Sequence, residues 1–360
     1  MAVFCIPGNF PTINEAVSSV APGDTILVGN GVYSEAVAIP EAKTGIRIIA
    51  DGEQVILDGN SLLEIAFNIM ANNVEIKGFT IINYLTSGIR VSGPTGLIFL
   101  IGSKLIQNII MNITRGDGIT LVDSFATLIW QNRIRGVGDH AVNITGSTMN
   151  TWTIENELNG NGANGVINQT NANVGGTITR NRILANSGSG VQDNAGSNLI
   201  FANLITGNKL DGVDEASPTA AAGFGGIVAN CITGNRRDGV RLDQDRTVVT
   251  GNRVLNNLGT GVLIDTNLNV VQQNVITANM NNGITLTPDA QGNLAVRNII
   301  TRNTPFDIDR ENPQNDLVEN CFQTSNPSGL YTSVPAPPVC SPPQNTEETF
   351  SKDATDGRDG

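Results

Sequence analysis

One asparagine recurs down the chain, at Asn108, Asn132, Asn156, Asn181, Asn203, Asn230, Asn252, Asn274, Asn298 and Asn320. The intervals are 24, 24, 25, 22, 27, 22, 22, 24 and 22 residues. Each Asn opens a unit of the same design: N-x-apolar, about six residues, then G-apolar, as in QNIIMNITRGDGITL, ANCITGNRRDGVRL and GNRVLNNLGTGVLI. A fixed period of this length marks a stack of repeats, each burying its apolar face against its neighbours.

Alternation decides what each repeat is made of. In GVRLD, Val240 and Leu242 point one way and Arg241 and Asp243 the other, the two-residue period of a strand. The second residue after the key Asn is apolar in every unit, from Ile110 to Phe322. Leucine-rich repeats need a denser leucine pattern and helical segments, and neither is present. What remains is a coil of short parallel strands joined by turns. Aromatics at 4% and 40 glycines suit such thin, turn-rich β-structure. Stacked coils place like on like at about 4.8 Å, so the Asn column reads as an internal ladder of side-chain amides. At the other end, PTINEAVSSV sets Thr12 and Glu15 at capping-box spacing and puts Ile13, Ala16, Val17 and Val20 on one face. This predicts a short helix over 11–20 that caps the open end of the first coil.

The run INEAVSSVAPGDTILVGNGVYSEAVAI, then GIRIIADGEQVILDG, then the N-x-I…G-V coils, resembles the right-handed parallel β-helix (pectate-lyase-like) superfamily, closest to its carbohydrate-associated and NosD-type repeats. The resemblance covers about residues 8–325. It implies an all-β solenoid of about a dozen coils, a single unit over 1–325, and a polysaccharide or cell-surface glycan as partner. It also implies a cell-surface, spore-surface or extracellular setting, although MAVFCIPGNF has neither the basic nor the apolar region of a secretory signal. The superfamily spans lyases, hydrolases, epimerases and structural proteins, so function rests on the site. Beyond the last coil, 326–360 reads as a Pro-rich extended segment followed by a disordered acidic tail. Cys5, Cys231, Cys321 and Cys340 lack metal-type spacing, and a Cys321–Cys340 pair is left open. With one His and five Met, a soft-ligand copper site is not expected.

A net charge of −12 leaves no basic excess for nucleic acid, and no apolar run is long enough to span a membrane. Chemistry is sought in the outward columns. Counting from the repeat Gly, position +2 includes Gln192, Asp214, Arg241 and Leu263, and position +4 includes Asp243 and Asp265. Stacking predicts that Asp243 and Asp265 lie on adjacent coils with Arg241 beside them and Asp214 one coil away. Like charges so placed need compensation, by Arg241, by a bound calcium on Asp243 and Asp265, or by protonation. These four are the candidate catalytic residues. A 27-residue interval inserts ASPTAAAGFGG beside them as a candidate groove wall. Asp139–His140 lacks the Pro of the related epimerase motif and falls where other coils carry turn residues, so it reads as a turn. Two functions stay open: a polysaccharide-binding β-helix, with lyase, epimerase or hydrolase chemistry as the enzymatic form, and a non-catalytic structural or adhesive solenoid on a cell, spore or phage surface.

Overall fold

The computed structural model describes residues 1–93, 99–169, 175–216, 225–328 and 330. The inserted wall over 217–224, the tail and any Cys321–Cys340 pairing lie outside these residues. Every strand pairing among them is parallel, and the strands run from Val3–Ile6 to Ser325–Asn326. Each coil of the regular region contributes three short strands, such as Val240–Leu242, Val248–Thr250 and Arg253–Leu255. The first joins a 13-stranded sheet, and the other two join a 24-stranded sheet that wraps a corner. The chain therefore climbs as an all-β solenoid of about a dozen coils.

Alternation explains the interior. Val240 and Leu242 are fully buried, as are Ile110, Ile134, Leu158 and the equivalent residues of later coils up to Ile300. Between the second and third strand a single residue takes a left-handed conformation: Gln131, Glu155, Arg180, Ala202 and Ala229 all have φ between 53° and 56°. This bend turns the following Asn inward. Each ladder Nδ2 from Asn108 to Asn298 donates to Oδ1 of the next Asn at 2.9–3.1 Å. That same Oδ1 also accepts the backbone N–H of the Asn it serves, for example Asn203 N to Asn230 at 2.9 Å. The amide thus satisfies the backbone at a corner where the regular sheet pairing stops.

A second ladder was not expected. Five residues after each key Asn from Asn156 to Asn298 stands another buried Asn, and Asn161, Asn186, Asn208, Asn235, Asn257, Asn279 and Asn303 form the same chain of amide bonds at 2.8–3.0 Å. Its last member donates to Oδ1 of Asp307 at 3.1 Å.

The capping helix is present as Ile13–Ser19, with Thr12 Oγ1 accepting the N–H of Glu15 at 3.1 Å. Ile13, Ala16, Val17 and Val20 are buried, as the pattern predicted. Ahead of it the strand Val3–Ile6, unforeseen in the sequence, pairs with Thr25–Tyr33 and covers the edge of that strand. Among the described residues no helix is long and apolar enough to cross a membrane.

Candidate functional site

The outward column of the 13-stranded sheet follows the predicted register. Gln192 pairs with Asp214, Asp214 with Arg241, and Arg241 with Leu263. Arg241 then reaches along its own coil and the next. Its Nε lies 2.7 Å from Asp243 Oδ2 and its NH2 3.3 Å from Asp265 Oδ2, all three side chains being partly buried. One guanidinium spans two carboxylates on successive coils, which offsets their mutual repulsion. Asp214 lies beside this bridge and outside it. Its Oδ1 is buried and accepts no hydrogen bond. Burial, reinforced by Asp211 and Asp243, pushes its carboxyl up to about 6, against the opposing pull of Arg241 and Arg237.

Two further acids belong to the same cluster. Asp211 and Asp238 read in the sequence as ordinary Asp-Gly turns, and both do shape a turn: Asp211 Oδ1 accepts Asp238 N–H at 2.9 Å, and Asp238 Oδ1 accepts Thr260 N–H at 2.7 Å. Their side chains are nevertheless buried, and Arg237 NH1 lies 3.3 Å from Asp211 Oδ2. Desolvation raises both carboxyls, that of Asp238 to about 6. They stand three residues before Asp214 and Arg241, on the coils that those residues occupy. That offset was the available signal.

The arrangement can give and take protons. Asp214 and Asp238 change charge near pH 6, while Asp243 and Asp265 are engaged by a guanidinium, so neighbouring carboxyls sit in different environments. A divalent cation fits less well. Both Asp243 and Asp265 already accept from Arg241, and a cation drawn to them would meet its positive charge at close range.

The lone histidine is a turn residue, as its position indicated. His140 Nδ1 accepts Asn164 N–H at 3.2 Å, the role Asn164 Oδ1 plays for Ser189 one coil on. Its Nε2 faces Asp139 at 3.3 Å, and Asp117 completes a small cluster of possible ligand atoms. Burial raises the Asp117 carboxyl, whose oxygens are already taken by His140 N–H, Asn143 and Thr120.

On the opposite side of the coil, a groove of about 510 Å³ follows the Asn-ladder corner between the Gln131–Glu155–Arg180 row and the Arg133–Glu157–Arg182 row. Glu155 is held below the usual carboxylate range chiefly by Trp130 Nε1 and Gln131 Nε2, each at 3.0 Å.

No curated protein matches the chain in sequence. In fold it is similar to the A-modules of two Azotobacter vinelandii mannuronan C-5 epimerases. For AlgE6 the identity is 16%, with 87% of this chain and 93% of that one covered and a TM-score of 0.62. For AlgE4 it is 14%, with 89% and 92% covered and a TM-score of 0.59. It is also similar to the catalytic domain of a GH87 alpha-1,3-glucanase, at 14% identity, 88% and 68% coverage and a TM-score of 0.69. At these identities the likeness establishes architecture. The right-handed beta helix region family matches residues 117–300, just over half the chain and the stretch that carries most of both ladders and the acidic cluster. By ladder, register and family match together, the chain belongs to the right-handed beta helix family.

Proposed function

We propose that this protein binds an extended polysaccharide along the outward face of its 13-stranded sheet, centred on Asp214, Arg241, Asp243 and Asp265. The observation that carries the reading is the unpartnered, half-buried Asp214 carboxyl beside a carboxylate pair fixed by Arg241. Sugar hydroxyls are the natural complement of such a row, because they donate to carboxylates and accept from a guanidinium. The similar solved structures include enzymes named for action on mannuronan and on alpha-1,3-glucan, which supports a glycan as the occupant.

Charge narrows the class. Asp211, Asp214, Asp238, Asp243 and Asp265 outnumber Arg237 and Arg241, on a chain of net −12. An ionised uronate meets repulsion there, whereas a neutral glycan does not. Where turnover accompanies binding, Asp214 is the proton donor and Asp243 the second carboxyl, which favours hydrolysis of a neutral glycan over lyase or epimerase chemistry on a uronate. The test is a panel of neutral and uronate polysaccharides, with and without calcium. Binding to a neutral member, lost in Asp243→Ala and indifferent to chelator, is the expected result. Retention of none of the panel sinks the proposal and leaves the structural or adhesive solenoid, which the pairing of Asp243 Oδ2 and Asp265 Oδ2 with Arg241 favours.

A further inference from the structure

The outward face of the second strand in each coil is unlike the rest of the surface. It carries two columns. One runs from Lys104 through Leu128, Trp152, Thr177 and Leu199 to Gly226, Val248, Val270 and Leu294, and ends at Asp316. In the neighbouring column Trp130 follows Lys77 and Ile106, and Ile154, Phe201 and Val296 come after it. From Leu128 to Leu294 and from Trp130 to Val296 neither column holds a charged side chain. Trp152 and Leu199 are about two-fifths exposed. A long uncharged strip of this kind on a chain of net −12 is a face on which a second copy can approach without direct repulsion.

We infer that the strip is a self-association surface on which two copies pack face to face with their rods reversed, about a twofold axis parallel to the strands. The charges at its ends select this arrangement. Lys104 flanks the uncharged stretch at one end, with Glu75 and then Arg47 beyond it in the same column, and Asp316 closes it at the other; Lys104 and Asp316 are both exposed. Reversal sets Lys104 of each copy against Asp316 of the other, at both ends at once; parallel rods would set like against like. The same operation places Trp152 opposite Val270, and near the axis it brings Leu199 of one copy over Gly226 of the other. Each contact is thereby made twice, as an isologous interface requires. Sheets pack at about 10 Å, and nine coil spacings make the strip about 43 Å long. With flanking side chains about 15 Å wide, it buries roughly 1,300 Å² in total, within the range of stable interfaces.

The inference is independent of the glycan reading, because the acidic cluster lies on the other sheet. The test is sedimentation velocity of the full chain across a wide concentration range. A dimer is expected, weakened roughly tenfold or more by Trp152→Glu and by Lys104→Asp. Lys104→Asp combined with Asp316→Lys restores it, since the reversed ends again meet opposite charges. Both tryptophans of the chain, Trp130 and Trp152, lie on the strip, so their emission shifts to the blue as the dimer forms. A chain that stays monomeric throughout overturns the inference. So does a dimer whose strength is indifferent to Trp152→Glu, or one that the paired charge exchange fails to rescue. Circular dichroism of each variant establishes that the coil itself is intact.

Discussion

At the scale of single residues, the carboxyls of the acidic cluster make stability depend on pH in a definite sense. Asp214 is pushed up to about 6 in the folded chain, so between the ordinary carboxylate range and pH 6 the native state holds more protons than the unfolded one. Its contribution is therefore fully present at low pH and is lost as pH rises through 6. Asp214→Asn is expected to stabilise the protein at pH 7.5, on the order of 1–3 kcal/mol, and to change little at pH 4. Thermal melts at the two values check this. The same variant should lose glycan binding, so stability and function move in opposite directions. Arg241→Ala leaves Asp243 and Asp265 without their shared partner. A loss of about 1–2 kcal/mol is expected, and urea unfolding reads it. Strand period and coil spacing alone placed Asp243, Asp265 and Arg241 together, because parallel stacking turns sequence offset into position. Asp211 and Asp238 were passed over because an Asp before Gly already has a sufficient explanation as a turn. Their burial depends on how tightly successive turns nest, which one repeat does not reveal.

At the scale of the element, the corner is the unit that makes the coil repeat. The Asn230 side chain makes four bonds to its neighbours: its Oδ1 accepts from Asn203 N and Nδ2, and its Nδ2 donates to Ile200 O and Asn252 Oδ1. Asn230→Ala strands several buried polar groups at once, and a loss of about 2–4 kcal/mol in denaturant unfolding is expected. Asn230→Asp should rescue little, since a carboxylate keeps the acceptors and forfeits both donors. The second ladder was written in the sequence at a constant offset of five from the first. It escaped notice because its residues alternate with glycines and polar turns, where asparagine needs no further reason. Glycines at the next turn carry a different load. A Cβ on Gly239 would lie 2.6 Å from Gly261 O and 2.3 Å from Val254 Cγ1, so Gly239→Ala forces adjacent coils apart. Gly160, at φ 65°, has open space around it. Gly160→Ala should cost about 1 kcal/mol of backbone strain and Gly239→Ala about 3 kcal/mol or more, a contrast that paired melts would show.

At the scale of the whole molecule, identical steps in one direction give the structure a sense along its axis. Within both ladders the amide-to-amide bond of each Nδ2 runs to the next coil up the chain and each Oδ1 faces the coil before. The amide dipoles therefore add rather than cancel, as peptide dipoles do in a helix. At the far end of the second row, the donors of Asn303 fall on Asp307, a buried carboxylate that also receives the N–H groups of Gln323 and Thr324. A negative group sits where the aligned rows are most positive. Seen this way, the solenoid is a weak permanent magnet's electrical counterpart, with a head and a tail, and bar magnets laid side by side settle with opposite poles together.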